Sequence, residues 1–366
     1  MSIISIMSGA LIEIVSKGVQ DAYITSESGV SLFKLKYQRH TNFSQAPKQL
    51  ELNTDATDNG MSVLSIPSNG DLVTGIWLEG GNVGNNNSLS LISGLKGSTF
   101  DLYIGGQLID SQTYDFMADI WQVYLAETYT KSININNYTT VTNNQFFPLH
   151  FFFCDNGMFL PLVALQYSEV EIRIRWGPNI SNVPSIKCFA NYIYLDTSER
   201  EEIVKKPMDI LVTQVQRVVY DLDNGLNSCD LSYFNHPIKS IFFGFESNEV
   251  YIPNDKFSFT SADLYLNGTQ LLEGMSPTYF HTVQGYYGCP YGVIKYNTVD
   301  ESPVNTRYYI YNFCMDASSY KPTGTCNFSR LDNTKLVLHN VTKGTNRTDS
   351  TLKIYAVNYN ILKIKS

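Results

Sequence analysis

The feature that most restricts what this chain can fold into is a short phrase that it uses twice. Asp101-Leu102-Tyr103-Ile104-Gly105-Gly106 returns as Asp263-Leu264-Tyr265-Leu266-Asn267-Gly268, displaced by 263 − 101 = 162 residues. In both copies an apolar run ends on two residues that tolerate positive φ, the signal of a two-residue β-hairpin. A second landmark keeps nearly the same spacing. Along Val170-Glu171-Ile172-Arg173-Ile174-Arg175-Trp176 the apolar residues share one face of a strand and the charges the other. Its counterpart is read at Leu336 and Leu338, an offset of 338 − 172 = 166. Nearly equal offsets predict a duplicated β unit of roughly 160 residues. A chain of 366 residues also exceeds the usual span of one hydrophobic core, so two cores are expected.

Composition sets the class. Tyr (25) and Phe (20) are plentiful, charged residues are only 16%, and Asn, Ser, Thr and Gly recur at short intervals, which favours all-β over α/β. A formal charge of −8 argues against wrapping nucleic acid, because non-specific affinity comes from cations neutralising phosphates, and no direct nucleic acid binding is expected. The cysteines at 154, 188, 229, 289, 314 and 326 form no C-x-x-C pair and read as free core thiols; the five histidines are scattered. There is no G-x-S-x-G, H-E-x-x-H, P-loop or dinucleotide fingerprint. Gly80-Gly81, Gly105-Gly106 and Asn156-Gly157 follow β runs and are explained by hairpin geometry. Glu169 and Glu171 lie two apart on the wet face of a strand, which suits a surface charge better than a glycosidase pair. No catalytic, cofactor or metal site and no enzymatic activity are therefore expected. The N-terminus lacks a basic region followed by a long apolar run, and the chain is expected to stay in the cytosol.

In chain order, Leu11, Ile14, Val15 and Val19 fall at helical spacing with Gly18 as a stop. Two readings stand: a plain amphipathic helix, or an arm docked on a neighbouring subunit, since a helix this short is marginal by itself. Phe33, Leu35 and Tyr37 alternate as a first strand, and runs at 61–66, 72–78 and 88–92 read as further strands. Residues 114–126 predict a helix with Phe116, Ile120, Trp121 and Tyr124 on one face, and 136–144 a polar loop. Residues 146–176 read as strand, turn, strand: Phe151, Phe152 and Phe153 form an apolar run too brief for a helix, and Asp155-Asn156-Gly157 turns the chain. A closing strand follows at 186–195. The charge run 196–202, before Pro207, reads as a solvated joint between domains. Met208 opens the second half, Arg330 beside Asp332 can lock a loop, and residues 352–362, apolar on both faces, read as central in a sheet.

Several of these stretches also carry a likeness. Phe152-Phe153, the acidic turn, Gly157, Leu160-Pro161, Ala164-Leu165, Tyr167 and Glu169-Val170 resemble the signature of the double jelly-roll major capsid proteins of nucleocytoplasmic large DNA viruses and related smaller icosahedral DNA viruses. Ser168 departs from it, since that family often has histidine there. Gly9, Leu11, Val15, Gly18, Gln20-Asp21, Tyr23 and Thr25 resemble the family's opening, as does Phe33-Lys34 followed by Tyr37 and Arg39-His40-Thr41-Asn42-Phe43. The Glu199-Arg200 connector, Asn327-Phe328-Ser329-Arg330 and the final strand are similar too.

The resemblance implies two consecutive eight-stranded jelly-roll β-sandwich barrels with short helices in loops and at the N-terminus. They divide as an N-terminal arm 1–25, jelly roll 26–196, connector 197–207 and jelly roll 208–366. It implies a structural major capsid protein of a virion, made in host cytoplasm, forming homotrimeric pseudo-hexagonal capsomers without a cofactor. Its implied partners are itself, neighbouring capsomers, and minor capsid proteins or an inner membrane layer beneath the shell, reached by the N-terminal arm. The family continues past its last strand with a glycine-rich tail, whereas this sequence stops at Ser366. The alternatives are a minor capsid paralogue, a carbohydrate-binding β-sandwich of the virion surface with Tyr and Asn-rich loops as its reading surface, and a sandwich-fold glycoside hydrolase with converging carboxylates.

Overall fold

Strands with one apolar face must bury it against a second sheet, and this chain does so twice. The computed structural model describes residues 40–81, 90–128, 130–131, 145–244, 258–291, 308–342 and 351–364. The expected N-terminal helix, the strand at Phe33 to Tyr37 and the loop 136–144 lie outside them.

The first half supplies β1 (Phe43–Leu50), β2 (Met61–Ser65), β3 (Leu72–Gly80), β4 (Thr99–Ile104), β5 (Gln107–Thr113), β6 (Gln145–Pro148), β7 (Leu160–Pro161), β8 (Val170–Arg175) and β9 (Lys187–Leu195). The second supplies β10 (Met208–Asp221), β11 (Gly225–Asp230), β12 (Pro237–Gly244), β13 (Ser261–Leu266), β14 (Thr269–Met275), β15 (Tyr308–Asn312), β16 (Cys326–Asn327), β17 (Lys335–Val341) and β18 (Thr351–Ile364). Sheet β1-β9-β3-β6 faces sheet β2-β8-β4-β5, and β10-β18-β12-β15 faces β11-β17-β13-β14. The two orders are the same, element for element: each is an eight-stranded jelly roll. Even the two-residue additions correspond, since β7 pairs with the start of β3 at Leu72 and β16 with the start of β12 at Pro237.

The repeated phrase lands where its chemistry requires. Gly105 and Gly106 have φ of 57° and 78°, and Asn267 and Gly268 have 51° and 76°, the two positive-φ positions of a tight hairpin turn. Leu102 pairs with Ile172 and Leu264 with Leu336. The counterpart of Ile172 is thus Leu336 and not Leu338, and the offset is 336 − 172 = 164. The earlier register was two residues too far, a shift that the period of a strand leaves invisible because it keeps every side chain on its own face.

Val170, Ile172, Ile174 and Trp176 point inward, as expected, with Glu171 and Arg173 half-buried and Arg175 exposed. Strand β18 lies between β10 and β12 and is buried on both faces in its middle. Its even-numbered residues, Leu352, Ile354 and Ala356, fill the second sandwich. Tyr355 and Val357 instead join a buried cluster that runs out of the first sandwich.

Four local expectations change. Phe151 is extended but Phe152–Cys154 is a single 3₁₀ turn. A strand would send alternate rings outward, whereas this turn buries all three phenylalanines, with Phe152 edge-on to Phe153. In the run 88–92, Ser90 caps a helical turn at Leu91–Gly94 by accepting from the Ser93 amide. The charge run is a helix, Thr197–Lys205, begun by Asp196 and laced by Glu201–Lys205 and Glu202–Lys206 pairs at 2.7 and 2.6 Å. Glu, Arg and Lys are good helix formers at this spacing. Arg330 forms no ion pair with Asp332 among the described residues. That loop is held by Asn327, which accepts from the Ser329 amide at 3.1 Å, and by Ser329 Oγ, which accepts from the His236 amide at 2.8 Å.

Candidate functional site: the joint between the sandwiches

Among the described residues no three His, Cys, Asp or Glu side chains gather as a metal site, and no helix is long and apolar enough to cross a membrane. Of the two acidic residues that sequence reasoning weighed, Glu169 is exposed and Glu171 accepts from Arg173 at 2.5 Å; Asp101, largely buried, accepts from Arg175 at 2.7 Å. All six cysteines are free thiols: Cys188, Cys229 and Cys289 are buried, whereas Cys154, Cys314 and Cys326 are only half-buried, a correction to the expectation of core positions for all. Burial raises the pKa of each of the six, and pushes Cys188 up to about 12.

The most built feature of the molecule is the contact between its two sandwiches. It is organised by the helix Phe116–Leu125, which leaves β5 of the first sandwich. The sequence predicted one apolar face, but nine of its ten residues are buried, and only Asp119 is not. A helix apolar all round has to be enclosed, and this one is covered on one side by its own sandwich and on the other by the outer face of β10-β18-β12-β15. Tyr124 packs on Phe242 with ring centroids 5.8 Å apart, and its hydroxyl donates to the Tyr308 carbonyl at 3.0 Å. Phe116 meets Tyr355 at 5.8 Å.

Polar groups fix the register of this contact. The Val215 amide donates to Asp110 Oδ1 at 2.9 Å, and Gln112 Nε2 donates to Asp110 Oδ2 at 2.7 Å and to the His150 carbonyl at 2.8 Å. Thr113 and Tyr355 share a hydroxyl–hydroxyl bond of 2.9 Å. Lys353 Nζ reaches Asp115 Oδ2 at 2.9 Å, with both side chains largely buried. Burial pushes Asp110 up to about 7 despite the amides that favour its charge. His150 lies flat on Trp121, centroids 3.5 Å apart, and burial holds its pKa well below the ordinary value. Lys239, also buried, is lowered by desolvation and lies 5.7 Å from the Tyr359 ring. Sequence reasoning placed Tyr124 and Phe116 on one apolar helix face but missed Asp110, Gln112, Lys239 and Lys353. The available signal was a charge or amide inside an apolar strand run, Lys239 between Ile238 and Ile241 being the plainest case.

Comparison with known proteins agrees with this architecture. The family model described as large eukaryotic DNA virus major capsid protein matches residues 199–366, and that described as major capsid protein N-terminus matches residues 31–196. The chain is 32% identical over 397 residues to the major capsid protein of Pyramimonas orientalis virus, covering 98% of each. It is 28% identical to that of Paramecium bursaria Chlorella virus 1, again over 98% of each. It superposes on a chain of the PBCV-1 virus capsid with a TM-score of 0.76 at 25% identity, covering 92% of this chain and 98% of that one. The Faustovirus major capsid protein shares the fold at 10% identity, with a TM-score of 0.67. Full-length likeness in sequence, the doubled jelly roll and the matched family models lead to one conclusion: this chain belongs to the major capsid proteins of the large eukaryotic DNA viruses.

Proposed function

We propose that this capsid protein acts as a homotrimer whose six jelly rolls give a capsomer of pseudo-hexagonal outline. The observation that carries the reading is the pair of like sandwiches in one chain, joined through an enclosed helix. Three such chains around an axis present six similar units, the outline that tiles a flat facet, and contacts between unlike faces close as a ring. The parts divide as an arm 1–25, a first barrel 26–196, a connector 197–207 and a second barrel 208–366. The arm reaches neighbouring capsomers, minor capsid proteins or a membrane layer beneath the shell, and the chain is made in host cytoplasm. Function here is geometry and adhesion without turnover. In support, Glu171 and Asp101 are tied to arginines, and the buried thiols are raised away from the reactive thiolate form.

The experiment is sedimentation equilibrium of the full chain and of a form lacking residues 1–24. Both are expected at three times their chain mass, with only the full chain associating further into sheets or shells. A monomer at micromolar concentration, or a truncated form that loses its strand signal in circular dichroism, would sink the reading.

A further inference from the structure

The duplication places two surfaces in correspondence, and among the described residues only one pair of them is closed within the chain. Hairpin and helix repeat together: the Phe116–Leu125 helix follows β5 as Tyr279–Val283 and Gln284–Gly288 follow β14. Buried Met117 corresponds to buried Phe280, an offset of 280 − 117 = 163. At that offset Tyr124 corresponds to Tyr287. Tyr124 is 2% exposed because Phe242 and the Tyr308 carbonyl receive it, whereas Tyr287 is 78% exposed.

The receiving face repeats as well. Ile76 pairs with Ala190 as Ile241 pairs with Ala356, so Trp77 corresponds to Phe242 and Phe189 to Tyr355. Phe146 faces Glu79 as Tyr308 faces Gly244, so Phe146 corresponds to Tyr308. Trp77, Phe189 and Phe146 are half-buried on the outer face of β1-β9-β3-β6, with Trp77 stacked on Phe189 at 5.7 Å. Beside them opens a largely apolar cavity of about 320 Å³ lined by Gly75, Trp77, Phe146 and Pro148.

We infer that the Tyr287 helix of one copy docks on the Trp77 patch of the next, repeating between chains the contact that Tyr124 makes with Phe242 within one. The occupant is a second copy of this chain because the two surfaces are already complementary in their repeat-related form. Tyr287 then lies against Trp77, with its hydroxyl donating to the Phe146 carbonyl. Knob and patch sit on different sandwiches, so the contact is heterologous and propagates until a ring closes. This rests on the trimer reading and names the surfaces that form it.

The test compares the wild type with Tyr287→Asp and Trp77→Asp by sedimentation equilibrium, with circular dichroism as the folding control. Both variants are expected to keep their strand signal and to lose the three-chain species. Should Trp77→Asp fail to fold, Phe189→Asn tests the same patch. In the double variant Tyr287→Cys with Trp77→Cys, a short bismaleimide is expected to link two and three chains on a denaturing gel, beyond the background of either single variant. If the wild type is a trimer while Tyr287→Asp stays trimeric, or if the double variant gives no chain-to-chain link, the docking is wrong and the trimer reading survives. A monomeric wild type overturns both.

Discussion

At the scale of single residues, the joint is where this protein is most sensitive. Asp110 has an ordinary pKa of 3.8, and in the folded chain burial pushes it to about 7. Between those values the folded protein holds a proton that the unfolded chain has lost. The contribution of Asp110 to stability is therefore complete below about pH 4 and falls as pH rises through 7. Three pKa units set its upper bound at about 4 kcal/mol. Urea unfolding from pH 5 to 8 should show Asp110→Asn with a flatter stability profile than the wild type; equal slopes would contradict the assignment. Lys353 acts in the other direction. Removing its ammonium in Lys353→Met breaks the largely buried ion pair with Asp115, which should destabilise by roughly 3–5 kcal/mol, read as a lower urea midpoint. A loss below about 1 kcal/mol would mean that water already solvates the pair.

At the scale of elements, turn chemistry decides which pieces were readable. Gly106 sits at φ +78° with open space where a Cβ would stand, so Gly106→Ala tests backbone conformation alone. It should cost about 1–2 kcal/mol, whereas Asn267→Gly, at the matching turn of the second sandwich, should be nearly neutral. Thermal unfolding of the two variants checks this, and equal melting temperatures would reject it. Hairpins announce themselves because their φ values demand particular residues at particular positions. The turn Phe152–Cys154 had no such signal, since three phenylalanines suit a strand or a tight helical turn equally and only the surrounding core chooses. The helical conformation of the charge run 196–202 was hidden for a related reason. Its residues are as well suited to a solvated helix as to a linker, and what fixes the helix at its first turn is distant: Arg200 pairs with Asp71 of the first sandwich at 2.8 Å.

At the scale of the whole molecule, the two sandwiches are not independent. The outer face of β10-β18-β12-β15 buries Phe242, Tyr308, Ile310, Tyr355 and Val357 in a cluster continuous with the first sandwich. A fragment of residues 208–366 would present this face to water, and exposed apolar patches of that kind drive association. Its expected behaviour is aggregation, or strong binding of a hydrophobic dye; a stable, soluble monomer would show that the joint is dispensable.

What the sequence by itself determined is the periodic part of this protein. Alternation along Val170 to Trp176, the paired hairpin signals and their offset specified strands, a duplication and an all-β class, because each follows from the chain's own geometry over a few residues. The strands at residues 61–65 and 72–80, the β4–β5 hairpin and the central position of β18 were legible for the same reason. Only the tertiary structure decided which face of the second sandwich is covered, that the Phe116–Leu125 helix is enclosed on both sides, and that Asp110, Gln112, Lys239 and Lys353 lie inside the molecule. Those facts depend on contacts such as Thr113 with Tyr355, between residues 355 − 113 = 242 positions apart, and no local pattern reports on a partner that distant.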